Sequence, residues 1–161
     1  MKLLIIRHGI AEDVDGKDDA QRRLTGQGRK RMRREAKALR RWVRQIDALA
    51  TSPLIRAVQK GEIVAAEYEG LKPTVIAPLS PGKTPMALLH WVQKQPADSA
   101  VALVGHEPAL GIFISWMLTG LQESFVILKK GGACLLELDG EIRAGRAKLS
   151  WFAKPSQLRR R

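Results

Sequence analysis

Two histidines and two arginines stand where an apolar, strand-like run gives way to a turn. Arg7-His8-Gly9 follows Leu3-Leu4-Ile5-Ile6. Ser52-Pro53 follows the run 46–51, and Arg56 comes within the next turn. Gly105-His106-Glu107-Pro108 follows the run 100–104. Such side chains are poor choices for a dry core, because a buried charge needs a partner. A shared anion pocket is the economical explanation for them. A guanidinium offers fixed donors to phosphate oxygens, often two at once, and stays charged at any working pH. Two arginines balance the charge spread over the equatorial oxygens of a phosphoryl group in transfer. A neutral imidazole has a lone pair that can attack phosphorus in line. Neighbouring arginines would hold it neutral by disfavouring a second positive charge. Gly9 would let the backbone approach closely, and a carbonyl could hold the other ring N–H and fix the tautomer. The second histidine, protonated once phosphate is present, would add a donor. A helix beginning near Pro108 would add the positive end of its dipole.

The elements that position these residues follow from hydrophobic period and punctuation. Residues 2–7 predict a strand, and a polar, Asp-rich loop runs to Leu24. Thr25 is an N-cap for a helix over 26–44, with Met32, Ala36, Leu39 and Val43 as its inward stripe. A strand is expected over 46–51, then a helix opened by Pro53 and running to Glu69. Residues 75–77 predict a short strand. The Pro-rich loop 78–85 leads into a helix ending near Gln95. Residues 100–104 are continuously apolar, as in a strand buried on both faces. A helix from Pro108 is stopped by Gly120. Strands are expected over 125–128, 133–138 and 147–152. Alternating strands and helices imply a three-layer α/β/α fold, with a mostly parallel sheet and an antiparallel edge. In such sheets ligands bind outside the carboxyl ends of the strands, where Arg7, His8, Arg56 and His106 fall. The 161 residues suit one domain, with 156–161 expected as a mobile basic tail.

Leu4-Ile5-Ile6-Arg7-His8-Gly9 resembles the opening signature of the histidine phosphatase (phosphoglycerate-mutase-like) superfamily. Leu24-Thr25-Gly26-Gln27-Gly28 resembles its approach to the first helix. Thr51-Ser52-Pro53-Leu54-Ile55-Arg56-Ala57-Val58-Gln59 is similar to its second arginine motif, and Val104-Gly105-His106-Glu107-Pro108 to its second histidine motif. These stretches keep the family order over roughly two-thirds of the chain. The short length and small insert after the third strand look like the phosphohistidine phosphatase branch. The resemblance implies a phosphoglycerate-mutase-like fold in a single domain over 1–161. It implies His8 as a transiently phosphorylated nucleophile, Arg7, Arg56 and His106 as phosphoryl ligands, and no metal or other cofactor. Two departures stand out. Many relatives carry a glutamate after the third strand that protonates the leaving group, and residues 75–85 contain no carboxylate. Lys60 also follows Gln59 where threonine is usual. An alkyl phosphoester benefits from an acid, whereas a phosphoramidate or phosphoanhydride leaves more readily. Phosphohistidine, on a protein, is therefore the leading substrate. Glu107 is the best substitute acid, and the alternative for it is a carboxylate stabilised at a helix N-terminus. Glu12 and Asp13 are weaker candidates.

The remaining composition bounds partners. Lys and Arg number 28 against 16 Asp and Glu, a net charge of +12 that favours anionic partners. The stretch 22–44 carries eleven Lys and Arg against Glu35 alone. It reads as a solvated face or as a docking surface for an acidic protein or polyphosphate. Sparse aromatic interleaving argues against nucleic acid. No apolar run reaches the roughly 20 residues of a membrane span, and the reading is cytoplasmic. Cys134, the single cysteine, sits in an apolar strand and reads as structural. His90 reads as packed or solvated, and the four tryptophans as core or surface packing. Two further functions remain open. One is hydrolysis of a small phosphoanhydride or phosphoester, including short polyphosphate. The other is a non-catalytic anion-binding module.

Overall fold

The computed structural model describes residues 1–12 and 18–160. Asp13 lies outside them. Strand β1 (Lys2–Arg7) is followed by helix α1 (Gly26–Trp42), strand β2 (Ala48–Thr51), helix α2 (Ile55–Ala65) and strand β3 (Pro73–Val75). Helix α3 (Pro85–Gln93), strand β4 (Ala100–Gly105) and helix α4 (Ala109–Thr119) come next. Strands β5 (Ala133–Glu137) and β6 (Lys148–Ala153) and the short helix α5 (Pro155–Leu158) close the chain. The sheet order is β3-β2-β4-β1-β5-β6. Pairings among β1 to β4 are parallel, and β5 and β6 add the antiparallel edge.

Alternation along β1 explains the layers. Leu3 and Ile5 face a core shared with Leu88, Leu89 and Val92 of α3 and Phe113 and Met117 of α4. Leu4 and Ile6 face the opposite core, with Ala36 and Leu39 of α1, Ala57 and Val64 of α2, and Leu158 of α5. Side chains two apart share a face of the pleat, so one apolar strand supplies both layers. The expected α/β/α sandwich is the observed one. Thr25 caps α1 by accepting from Gly28 N at 2.9 Å, as its position predicts. Gly120 ends α4 in the left-handed region at φ 81°.

Some expected boundaries shift. The helix after Pro53 begins only at Ile55 and ends at Ala65. The third strand lies two residues earlier than predicted, and Ala77–Leu79 is a 3-10 turn. The segment 125–128 forms no strand. Its amides meet side chains instead: Phe125 N donates to Ser115 Oγ at 3.2 Å and Leu128 N to Glu107 Oε1 at 2.8 Å. The expected mobile tail is partly packed. Leu158 is fully buried, and Arg159 Nη1 reaches Glu35 Oε1 at 3.4 Å. Among the described residues, no helix is long and apolar enough to cross a membrane.

Candidate active site

The strand order places three exits side by side. β4 lies between β1 and β2, with Arg7 in register with Gly105 and Thr51 with Val104. The residues just past these positions are therefore neighbours. His8 N donates to Gly105 O at 3.2 Å and Ser52 N to Val104 O at 3.0 Å, extending the ladders into the site. Gly131 N donates to His8 O at 3.1 Å and fixes the turn from the other side. Gly9 has a local reason distinct from ligand approach: a Cβ there would lie 2.7 Å from Met32 Sδ of α1.

The rings of His8 and His106 lie 4.9 Å apart between centroids, tilted by 53°. His8 Nδ1 is 2.7 Å from Gly9 O. A carbonyl only accepts, so Nδ1 carries the proton and Nε2 carries the lone pair. Arg56 Nε donates to that Nε2 at 3.3 Å. Arg7 Nη1 donates to Leu128 O at 2.6 Å, while Arg7 Nε and both ring nitrogens of His106 have no partner among the described residues. His8, Arg56 and His106 are all buried. The four expected residues thus converge.

Burial and charge keep both rings neutral. His8 is held down at about 3, first by desolvation, then by His106, and less by Arg56 and Arg7; the Gly9 hydrogen bond acts in the opposite direction. His106 is held at about 4, first by desolvation and then by Arg56 and Arg7, against a raising effect of Asp19. Repulsion by the arginines, the cause expected from sequence, acts in that direction but is secondary to burial.

Beside these groups lies a cavity of about 340 Å³. Arg56, His106, Asp19 and Glu107 line it together with apolar Leu79 and Ile112. Glu107 is already engaged: Oε2 accepts from Gly111 N at 3.1 Å and Oε1 from Leu128 N at 2.8 Å. Its carboxylate braces the 121–132 segment against α4. Sequence reasoning missed Asp19, which meets Arg56 from a 3-10 turn in the loop before α1. It also missed a buried pair. Lys60 Nζ lies 3.6 Å from Glu35 Oε2, and both residues are inaccessible. Burial raises Glu35 to about 6 and lowers Lys60 to about 8, each against the pull of its partner. The unusual Lys60 thus locks α2 to α1.

A second cationic feature lies on the outer face of α1. Arg34, Lys37, Arg40, Arg41 and Arg159 line a groove of about 610 Å³ with Glu67. The basic side chains of 30–44 are exposed as expected, but Glu35 is not part of that face.

The model of the histidine phosphatase superfamily (branch 1) matches residues 3–79, which contain Arg7, His8 and Arg56. The chain belongs to the histidine phosphatase superfamily. That membership bears out the expected fold and a phosphatase-type hydrolase. An uncharacterized protein of Picosynechococcus sp. (strain ATCC 27264 / PCC 7002 / PR-6) is 37% identical over 135 residues, which is 82% of each chain. The solved structure of the protein histidine phosphatase SixA complexed with tungstate superimposes with a TM-score of 0.85 at 24% identity, covering 98% of this chain and 99% of that one. A chain of Agrobacterium tumefaciens described as a phosphohistidine phosphatase SixA gives a TM-score of 0.77 at 21% identity, covering 96% and 97%. At these identities the superpositions show a shared fold.

Proposed function

We propose that this chain is a metal-independent phosphohistidine phosphatase acting on a protein in the cytoplasm through a phosphoryl intermediate on His8. The observation that carries the reading is the His8 ring. Its Nδ1 is fixed by Gly9 O, and its Nε2, beside His106, carries a lone pair that accepts from Arg56 Nε at 3.3 Å, a contact that a phosphoryl group would replace. In the first step Nε2 bonds to phosphorus while the bond from phosphorus to the substrate imidazole breaks. The imidazole leaves with a proton already on its ring or taken from water. Water then attacks phospho-His8, releasing phosphate and restoring the ring. Arg7, Arg56 and His106 hold the three phosphoryl oxygens. No acid is supplied by 75–85, and both Glu107 oxygens are bonded to amides, so a leaving group that departs unaided fits best. The likeness in fold to SixA chains supports the same substrate class. The cationic groove on α1 gives an acidic protein a place to dock.

The test is turnover of a phosphohistidine protein, phosphoramidate, polyphosphate and alkyl phosphates with chelator present. Phosphohistidine and phosphoramidate should be hydrolysed fastest, and EDTA should not slow them. His8→Ala should fold and be inactive, and trapping should give an acid-labile, base-stable adduct on His8. Arg7→Ala and Arg56→Ala should each lose roughly 10² to 10³ in rate. Preference for alkyl esters or polyphosphate would move the chain to the small-substrate reading. Phosphate binding without any turnover would make it an anion-binding module.

A further inference from the structure

Arg56 already holds an anion. Its Nη2 lies 2.6 Å from Asp19 Oδ2, and its Nη1 donates to the Asp19 carbonyl oxygen. Its Nε lies 3.3 Å from His8 Nε2, the atom whose lone pair must be aimed at phosphorus. The other carboxylate oxygen, Asp19 Oδ1, lies 3.1 Å from Arg22 Nη1. One carboxylate therefore bridges a buried arginine of the site and a more exposed one outside it, and its own side chain is 56% exposed. The hydrogen bond from Arg56 holds the Asp19 carboxyl below its ordinary range, so it is ionised wherever the site works. Arg22 is itself fixed, since its Nε donates to Glu12 O at 2.6 Å.

A guanidinium presents the same fork to carboxylate and to phosphate. The Nη edge that takes Asp19 is an edge a phosphoryl group would use. A carboxylate carries one negative charge, and a phosphoryl monoester carries close to two at neutral pH. We infer that Asp19 is a specificity-determining residue: its carboxylate occupies Arg56 Nη2 as a resident anion and yields it to a dianionic phosphoryl group, while Arg22 retains the displaced carboxylate. This rests on reading His8, Arg56 and His106 as a phosphoryl site. Displacing Asp19 lowers the affinity of every anion by the same factor, so carboxylates and monoanionic phosphodiesters, which a guanidinium attracts with less charge, fall below useful binding first. For a chain of net charge +12 that discrimination has a use. Acidic side chains of a docked protein would otherwise compete for the same arginine.

The opposite reading is a fixed partner that orients Arg56 and stays bound. The two differ in sign. Inorganic phosphate, dimethyl phosphate and acetate are titrated calorimetrically at constant ionic strength into the unmodified chain, Asp19→Asn, Arg22→Gln and the double variant. Asp19→Ala serves as a second removal of the charge. Asp19→Asn should bind phosphate roughly three- to thirtyfold more tightly, since a charged fork is released. Dimethyl phosphate and acetate should also bind more tightly, by a factor no larger than that for phosphate. Arg22→Gln should weaken phosphate binding, because the carboxylate then falls wholly to Arg56, and the double variant should resemble Asp19→Asn. Weaker or unchanged phosphate binding in Asp19→Asn and Asp19→Ala would overturn the inference and leave Asp19 an orienting partner. If the unmodified chain and every variant fail to bind phosphate, the phosphoryl-site reading itself falls.

Discussion

At the scale of single residues, the histidines are kept neutral chiefly by their surroundings, and this has a sign that can be measured. In the unfolded chain both take up a proton near the ordinary value of 6.5, whereas folding holds His8 at about 3 and His106 at about 4. Between 6.5 and about 4 the unfolded chain therefore binds protons that the folded chain does not. Stability should fall as pH falls through that window, by up to about 1.4 kcal/mol per pH unit for each histidine. Glu35, raised from 4.5 to about 6, works in the opposite direction over its own interval. Comparison with His106→Asn isolates the histidine contribution. Denaturant unfolding from pH 7 to pH 4 should show a shallower decline in the variant, and parallel declines would detach the ring from this linkage. The same neutrality predicts no loss of kcat/KM near 6.5 from protonation of His8.

Among the elements, the segment 121–132 is held by distant side chains, Ser115 and Glu107. Leu128 donates its amide to Glu107 and gives its carbonyl to Arg7, so Glu107 acts on the site through Arg7. Glu107→Gln keeps one acceptor oxygen, and Glu107→Ala keeps none. Both should lower stability, the alanine variant by about 1 to 3 kcal/mol, as for a buried amide left unpaired. Activity should fall for phosphohistidine and alkyl phosphates alike. A selective loss on alkyl esters would instead assign Glu107 the role of acid. The sequence misleads here because Phe125 and Ile127 suggest β structure, yet both are exposed and the segment's amides are held by side chains. The longer elements were legible, because the α1 stripe and the β4 apolar run repeat over enough residues to define a face. His8, Arg56 and His106 were legible as strand exits, since β1, β4 and β2 are sheet neighbours. Asp19 was not. Its meeting with Arg56, 37 residues on, depends on how an irregular loop folds back. Lys60 and Glu35 were hidden for another reason: each reads as a surface charge until the two helices are packed together.

Across the whole molecule, the positive charge is organised rather than spread evenly. Glu35 neutralises Lys60 inside and reaches Arg159 at the end of the chain, tying α1, α2 and the C-terminal turn together. The remaining cations of α1 project outward, and those at 34, 37, 40 and 41 converge with Arg159 on one groove. Arg40 is anchored there, donating to the Glu67 carbonyl and lying 5.1 Å over the Tyr68 ring. Arg34, Lys37 and Arg41 are the exposed groups to reverse, because changing them leaves that anchor and the buried pair intact. Arg34→Glu, Lys37→Glu and Arg41→Glu together should raise KM for a phosphohistidine protein with an acidic surface. The same triple variant should leave phosphoramidate hydrolysis unchanged, since that substrate reaches only the cavity beside His106. Salt should erase the difference, because exposed charges are screened over about 8 to 10 Å at moderate ionic strength. Binding of polyphosphate but not of the acidic protein would reassign the groove to an inorganic polyanion. Equal KM for the protein substrate at low salt would return α1 to a solvated face, with the charge serving solubility alone.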